Sequence, residues 1–169
     1  MVRSSLWSHR PQGKDQLDVR VCHEQDFDQV FGFLGQLWPD VDLEVGVMRG
    51  VFMECLRSSS HYLLCATDGD NPVGFCVMST RESLWHMGLL AYIDVLIVDE
   101  RYGSAGAGSL IIDRAKAIAA GLGCRFMELD SAFCREDAHR FYEKAGFRKT
   151  GYQFCAGLGD VPTTERPAG

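Results

Sequence analysis

The chain has 169 residues, of which 46% are hydrophobic and 24% are charged, and its formal net charge is −6 at pH 7. This length suits a single domain with a hydrophobic core. No apolar run approaches the roughly 20 residues of a membrane span. The acidic net charge argues against nucleic-acid binding. The seven cysteines include no CxxC pair, so we expect no metal site, and reduced cysteines in a cytoplasmic protein are the economical interpretation.

The first half of the chain predicts a strand, two helices and two further strands. Residues 1–16 are polar, and we expect them to be a disordered extension. The stretch "LDVRVC" alternates as a strand does, and apolar residues at helical spacing then predict helices over residues 26–38 and 42–58. The second helix has four apolar residues broadly on one side: Leu43, Val47, Val51 and Leu56. The strands "HYLLCATD" and "PVGFCVMSTR" follow, joined by a turn.

The second half begins with "GLLAYIDVLIV", residues 88–98, whose almost continuous apolar run predicts a strand buried on both faces. A glycine-rich loop, a helix from about 106 to 122, the strand "CRFMELDSA" and a short helix in "REDAHRFYEKAGF" come next. Strand-like "FRKT" and "YQFCAGL" end the ordered chain, and we expect residues 159–169 to be a flexible tail. The order βαα-βββ-α-β-α-ββ predicts one mixed α/β domain over residues 17–158, with about 6–7 strands and about four helices.

The loop "GSAGAGSL" can be tested against three phosphate-binding patterns. A P-loop fails because Ser109 stands where the lysine must be. A dinucleotide fingerprint fails because Ile111 occupies the third glycine position and no complete βαβ unit with a ribose-binding acid follows. The third pattern, [Q/R]xxGxG/A between a strand and a helix, offers backbone N–H groups and the helix dipole to a pyrophosphate. A solvent-exposed turn explains a glycine cluster equally well, so the loop alone leaves both interpretations open.

The segment "AHRFYEKAGF", residues 138–147, completes a pattern with that loop. The two segments in this order resemble the GNAT superfamily, the GCN5-related N-acetyltransferases, over roughly residues 17–158. "LWHMGLLAYIDVLIVDE" together with "REDAHRFYEKAGF" is similar to aminoalkylphosphonate N-acetyltransferases. "LWPD", with the acidic stretch that follows it, is similar to some aminoglycoside 6′-N-acetyltransferases. The resemblance implies a GNAT-like central sheet, acetyl-CoA as cosubstrate and a small primary amine as acceptor. Homodimers are common in the superfamily, so a homodimer is an open alternative.

The resemblance also implies where acetyl-CoA would bind. The backbone of Leu96, Ile97 and Val98 would pair with pantetheine as an added strand, and Ser131 would contact the pantetheine arm. Seven loop residues would hold the pyrophosphate: Gly103, Ser104, Ala105, Gly106, Ala107, Gly108 and Ser109. The chain departs from the family at Gly103, where Arg or Gln is usual, and at Ser104, where Gly is usual. Loss of a charge-assisted contact of roughly 1.5–3 kcal/mol would weaken binding by one or two orders of magnitude.

Tyr142 and Asp94 are the candidate catalytic residues. Tyr142 occupies the tyrosine of the family's FY pair and would be the general acid, with core packing as its alternative role. Asp94 is the only charge in the apolar strand 88–98. A buried unpaired charge is costly, so we expect Asp94 to face a cleft or a partner, and burial would raise its pKa. It would act as a base, bind the acceptor ammonium, or pin a neighbouring loop.

Four further residues are candidates for the acceptor side: Trp85, His86, Asp40 and Asp42. Trp85 and His86 precede the central strand, and the two acids fall between the first two helices, a region that covers the acceptor pocket in this family. An ordinary turn and ordinary helix capping are the alternative explanations. Two other functions also stay open at this stage: acetylation of a protein or peptide amine, and a non-catalytic acyl-CoA-binding module.

Overall fold

The computed structural model describes residues 17–103 and 105–156; the expected extension 1–16, Ser104 and the expected tail 159–169 lie outside the described residues. The elements are β1 (Leu17–Val21), α1 (Phe27–Leu37), α2 (Val45–Arg57), β2 (His61–Asp68), β3 (Asn71–Ser83), β4 (Gly88–Val98), α3 (Ala107–Gly121), β5 (Phe126–Leu129) and α4 (Glu136–Lys144). Short 3₁₀ turns lie at Glu24–Asp26 and Glu100–Tyr102. None of these helices is long and apolar enough to cross a bilayer.

The strands form one sheet in the order β1-β2-β3-β4-β5. The first three pairings are antiparallel, and β4 pairs with β5 in parallel. One face of the sheet packs on α3 through Ile111 and Ala115, and the other packs on α1 and α2 through Phe33 and Phe52. The predicted mixed α/β fold is confirmed, with four helices around the sheet.

The strand count is lower than the sequence predicts. Residues 147–156 form no strand in the described chain, so the sheet has five strands there rather than six or seven. Phe147 packs instead against α4, with its ring centroid 5.9 Å from that of Tyr142, and residues 148–156 are exposed. Alternating side chains permit a strand, but a strand forms only where a neighbouring edge pairs with it.

The apolar face of α2 also differs from the prediction. Val47 and Val51 are 55% and 51% exposed, whereas Phe52 is buried among the aromatic residues of α1 and β3. Met48 and Phe52, which directly follow Val47 and Val51 in the chain, form the apolar stripe of α2 that packs on the core. Burial of the large Phe52 ring therefore sets how α2 is rotated.

Strand β4 contains a bulge at Asp94. Val77 of β3 pairs with Val95 and Met78 pairs with Ile93, so Asp94 has no partner in β3. Ala91 and Ile93 face α3 before the bulge, and Leu96 faces α3 after it, so the extra residue inverts the alternation of side chains. The prediction that this strand is buried throughout is wrong at Asp94, which is exposed.

Candidate functional site

The sheet opens between β4 and β5 beyond the bulge. The pairing of the two strands covers Leu90–Ile93 and Phe126–Leu129, after which β5 ends. Strand β4 continues from Asp94 to Val98 with no strand of the described chain beside it on that side. Its backbone N–H and C=O groups there can pair with an extended ligand. The predicted pantetheine residues, Leu96 to Val98, lie on this open edge and are half-buried.

The open edge leads into the start of α3 through the glycine loop. Gly106 is the N-cap of α3 and has φ 88°, a left-handed conformation that favours glycine. Leu110 N–H donates to the Gly106 carbonyl (3.1 Å), so the N–H groups of the three preceding residues have no partner within the helix. These are the groups of Ala107, Gly108 and Ser109. They and the helix dipole suit a phosphate.

Two other described loop N–H groups are already used within the turn. Gly103 N–H donates to the Glu100 carbonyl (3.3 Å) and Ala105 N–H donates to the Tyr102 carbonyl (2.9 Å). Arg101 does not replace the missing loop cation, because its Nε and Nη2 atoms donate to the Asp99 carboxylate at 2.9 and 2.6 Å. This interaction holds the pKa of Asp99 below its usual value. Within the described loop, the N–H groups at the first turn of α3 therefore remain available to an anion.

Helix α4 places Tyr142 beside the opening and ends in a Schellman motif. Gly146, with φ 89°, donates its N–H to the Glu143 carbonyl (3.0 Å), and Phe147 N–H donates to the Tyr142 carbonyl (2.9 Å). The Phe147 ring contacts Tyr142 edge-on. Tyr142 is half-buried, and no described residue accepts a hydrogen bond from its hydroxyl. Burial raises the pKa of Tyr142 to about 12, so the phenol keeps its proton at neutral pH.

The start of α3 and helix α4 are in direct contact. A Cβ atom added to Gly108 would lie 3.2 Å from Cζ of Phe141, so the absence of a side chain at this position lets the Phe141 ring approach α3. Lys116 of α3 donates to the Ala145 carbonyl at the end of α4, and its Nζ lies 5.0 Å from the centroid of Phe147. The loop and Tyr142 are thereby fixed relative to each other.

Asp94 lies at the start of the open edge, at the bulge of β4. The pKa of the buried Cys76 thiol is raised by burial and then by the charge of Asp94. Cys76 in turn contributes to the raised pKa of Tyr142, after burial. Asp94 is also close enough to α2 to raise the pKa of Cys55, again after burial. Asp94 and Tyr142 are therefore both within electrostatic range of Cys76, which pairs with Leu96 in the sheet.

Tyr92 and Asp130 are residues of the opening that the sequence analysis did not identify. The Tyr92 hydroxyl donates to Oδ1 of Asp130, just beyond the end of β5. Burial and this hydrogen bond raise the pKa of Tyr92, and Asp94 contributes further. Ser131, half-buried, follows directly in the chain. The position of Asp130 at the end of "MELD" was the available signal, because a residue that directly follows a strand lies at the end of that strand.

The predicted acceptor residues are not all brought to this opening. His86 Nδ1 forms a hydrogen bond with Ser83 Oγ (2.9 Å), and its Nε2 lies 3.2 Å from Oε1 of Glu128; the ring packs at a tilt against Phe126. It anchors the β3–β4 turn to β5. Trp85, on the same turn, is 87% exposed. Gly88 follows this turn, and a rise of about 3.3 Å per residue separates it from Asp94 by roughly 20 Å.

Asp40 and Asp42 are exposed and lie in the α1–α2 connection, which we call segment 38–44. The fold places this connection after the C-terminus of α1, on the sheet face that Val95 and Ile97 also line. Cys55 of α2 packs on this face, and the charge of Asp94 contributes to its raised pKa after burial. Asp40 and Asp42 therefore lie on the α1–α2 side of the sheet, which the charge of Asp94 also reaches.

One group with metal-ligand spacing occurs in the described residues, formed by the buried Cys22, Asp26 and Cys65. The guanidinium of Arg20 donates to both Asp26 oxygens at 2.7 and 2.9 Å, and His23 N–H donates to one of them at 2.7 Å. The Arg20 hydrogen bonds lower the pKa of Asp26. Its negative charge is thus compensated by Arg20 within the protein.

Comparisons with known proteins find a matching family. The model of the "Acetyltransferase (GNAT) family" matches residues 22–147. The chain is 27% identical over 136 residues to the uncharacterized N-acetyltransferase YhdJ of Bacillus subtilis, covering 80% of this chain and 94% of that protein. It is 26% identical over 142 residues to the aminoalkylphosphonate N-acetyltransferase of Salmonella typhimurium, covering 83% and 91%.

Solved structures share the fold at lower identity. An aminoglycoside acetyltransferase from an uncultured soil metagenomic sample, in complex with sisomicin, has a TM-score of 0.72 at 16% identity, covering 85% of this chain and 97% of that one. AAC(6')-Iy in complex with the bisubstrate analog CoA-S-monomethyl-acetylneamine has a TM-score of 0.72 at 18% identity, covering 84% and 97%.

Proposed function

The chain belongs to the GNAT family of acetyltransferases and is an acetyl-CoA-dependent N-acetyltransferase, and we propose that its acceptor is the primary amine of a small molecule. The acceptor class is aminoglycoside-like or aminoalkylphosphonate-like. The observation that carries the proposal is the open edge of β4, which begins at Asp94 and runs into the glycine-capped helix α3 beside Tyr142.

The residues of the opening fit acetyl-CoA. The half-buried open edge at Leu96 to Val98 offers backbone groups to the pantetheine amides. The helix start at Ala107 to Ser109 offers N–H groups to the pyrophosphate. Residues 103–105 would complete the loop, and Ser131 would contact the arm from the β5 side. When bound, acetyl-CoA supplies an activated acetyl group and a thiol leaving group.

The acceptor amine must lose a proton as its nitrogen bonds to the acetyl carbon, and the sulfur must gain one as the carbon–sulfur bond breaks. Tyr142 is the proposed acid. Its raised pKa keeps it protonated, and its hydroxyl has no acceptor among the described residues that would compete for that proton. Asp94 is the proposed ammonium-binding group, with proton removal from the amine as a further role. Its exposure at the bulge supports contact with a ligand that arrives from solvent.

Carboxylates on the α1–α2 side favour a cationic acceptor. Asp94 and Asp130 lie at the opening, and Asp40 and Asp42 are exposed in segment 38–44. The chain's net charge of −6 adds a long-range attraction for cations. An aminoglycoside or a polyamine carries several positive charges, whereas an aminoalkylphosphonate also carries negative charge. The carboxylates therefore favour the aminoglycoside-like class.

A thiol-release assay with acetyl-CoA tests the proposal across aminoglycosides, polyamines, aminoalkylphosphonates and lysine peptides. We expect turnover with a small amine and little with peptides. Turnover with peptides alone would overturn the small-molecule assignment. Isothermal titration with acetyl-CoA separates the remaining outcomes. Binding without turnover on any amine indicates a non-catalytic acyl-CoA-binding module, and absence of binding at millimolar acetyl-CoA contradicts the proposed site.

A further inference from the structure

Arg135 connects two distant elements that flank the proposed site. Its backbone starts α4: its N–H donates to the Ala132 carbonyl, and its carbonyl accepts from His139 N–H, both at 3.0 Å. Its side chain reaches away from α4, and Nη2 donates to the Leu37 carbonyl at 2.8 Å, across 98 positions in the sequence. Arg135 therefore links the start of α4 to the end of α1.

The Leu37 carbonyl is a suitable target for a cation. Leu37 is the last residue of α1, so its carbonyl belongs to the final turn, which has no acceptor role within the helix. The last turn of α1 contains no basic residue of its own. Arg135 thus supplies from α4 the positive charge that stabilises the negative end of the α1 dipole.

The two linked elements have different proposed roles: the end of α1 leads into the acceptor side of the site, and α4 holds the proposed acid. Segment 38–44, with Asp40 and Asp42, begins directly after Leu37. Tyr142 lies on α4 about two turns beyond Arg135. The charge of Arg135 also acts on Tyr142, since it partly offsets the upward shift that burial gives to the pKa of Tyr142. One side chain therefore contacts the acceptor side and influences the proposed acid.

We propose that Arg135 is a positioning residue, which holds segment 38–44 in register with α4 so that the acceptor amine and Tyr142 meet at the opening. This inference rests on the proposed function. It predicts that the α1–α4 link determines acceptor affinity and turnover more than acetyl-CoA affinity, because the α3 loop is fixed to α4 separately through Phe141 and Lys116.

The variants that test it are Arg135→Ala and Arg135→Lys, with Arg140→Ala as the matched control. Arg140 is on the same helix, is exposed, and pairs with Glu136 and Asp137. We expect Arg135→Ala to raise the acceptor KM and lower kcat by about tenfold each, with the acetyl-CoA KM within about twofold. Arg135→Lys should recover part of both effects. Arg140→Ala should match the wild type.

A second readout does not depend on activity. Amide hydrogen exchange should become faster in the last turn of α1 and in segment 38–44 in Arg135→Ala, and stay unchanged in Arg140→Ala. If the wild type acetylates no amine, the proposed function fails, and exchange still decides whether the link exists. Exchange and kinetics of Arg135→Ala equal to those of Arg140→Ala would overturn the inference. If Arg135→Ala does not fold, Arg135→Gln and Arg135→Lys replace it, and both should show the faster exchange to a smaller extent.

Discussion

Replacement of Tyr142 by Phe tests the proposed acid with little disturbance of the fold. The variant keeps the ring contacts with Phe141 and Phe147, whose centroids lie 5.3 and 5.9 Å away. Because no described residue accepts a hydrogen bond from the hydroxyl, its removal breaks no hydrogen bond of that part of the chain. We expect the free energy of unfolding at pH 7 to change by less than about 0.5 kcal/mol.

The effect on catalysis should be much larger. General acid catalysis contributes about 10²–10⁴-fold, so we expect kcat of Tyr142→Phe to fall by about 10²-fold or more, with both KM values within about threefold. A fall of 10²-fold corresponds to about 2.7 kcal/mol of transition-state stabilisation. The assay is thiol release at saturating acetyl-CoA. Tyr152→Phe is the control, because Tyr152 is 76% exposed and lies beyond α4.

The same variant has a distinct effect on stability at alkaline pH. Tyr142 has a folded pKa of about 12 against about 10 in the unfolded chain, so between these values the folded state binds more protons. The contribution of Tyr142 to stability is complete below pH 10 and is lost as the pH rises through 12. The loss is about 1.4 kcal/mol by pH 11. The free energy of unfolding, measured with urea at pH 8 and at pH 11, should therefore fall less between these two pH values for Tyr142→Phe than for the wild type.

Two results would refute this reasoning separately. A kcat of Tyr142→Phe within about threefold of the wild type excludes Tyr142 as the acid. If the free energy of unfolding falls equally between pH 8 and pH 11 in Tyr142→Phe and in the wild type, the hydroxyl is not buried in the way that the raised pKa requires. Tyr92 and Tyr102, whose pKa values are also raised, are present in both proteins and cancel in the comparison.

Three further changes have defined outcomes. Gly103 has φ −53° and no atom within 3.4 Å of an added Cβ, so the position accepts a side chain. Gly103→Arg should therefore tighten acetyl-CoA binding about tenfold in calorimetry, and the control Gly121→Arg, at the far end of α3, should bind acetyl-CoA as the wild type does. Asp94→Asn should raise the acceptor KM about tenfold or more in steady-state kinetics, with no change in acetyl-CoA KM; exposed Asp113→Asn is its control. Gly146→Ala should lower the free energy of unfolding by about 1–2 kcal/mol in urea titrations, because Gly146 has φ 89°; an unchanged value would contradict the left-handed cap.

The sequence predicts β4 to the residue but not its surroundings. The apolar run between Gly88 and Val98 sets both ends of the strand, and local composition suffices for that. Burial depends on the neighbouring strand, and β5 stops pairing at Ile93. Asp94 is exposed because the β4–β5 pairing ends just before it and because it lies in the bulge. Neither feature can be recognised from the pattern of apolar residues in the strand. A lone acid in an apolar strand was the only local sign that the burial is incomplete.

The C-terminal segments show that an alternating pattern can predict a strand that does not form. "FRKT" and "YQFCA" alternate, yet the described residues 147–156 are not paired into the sheet. Phe147 is drawn to α4 as the apolar residue of its Schellman motif, which removes the first residue of the predicted strand. A helix cap and a strand start thus compete for the same phenylalanine, and only tertiary contacts decide between them.

The glycine loop and "AHRFYEKAGF" are each weak as motifs, and the structure gives a physical reason why they are informative together. Phe141 needs a residue without a side chain at Gly108 to approach the start of α3. Gly146 and Phe147 end α4 so that Phe147 packs on Tyr142 and beneath Lys116 of α3. The residues of one motif thereby fix the other, and with it the distance between the proposed phosphate-binding start of α3 and the phenol of Tyr142. A substitution that breaks this contact, such as Gly108→Ala, should weaken acetyl-CoA binding and turnover together, whereas Arg135→Ala should spare acetyl-CoA binding. The two variants therefore separate the cofactor side of the site from its acceptor side.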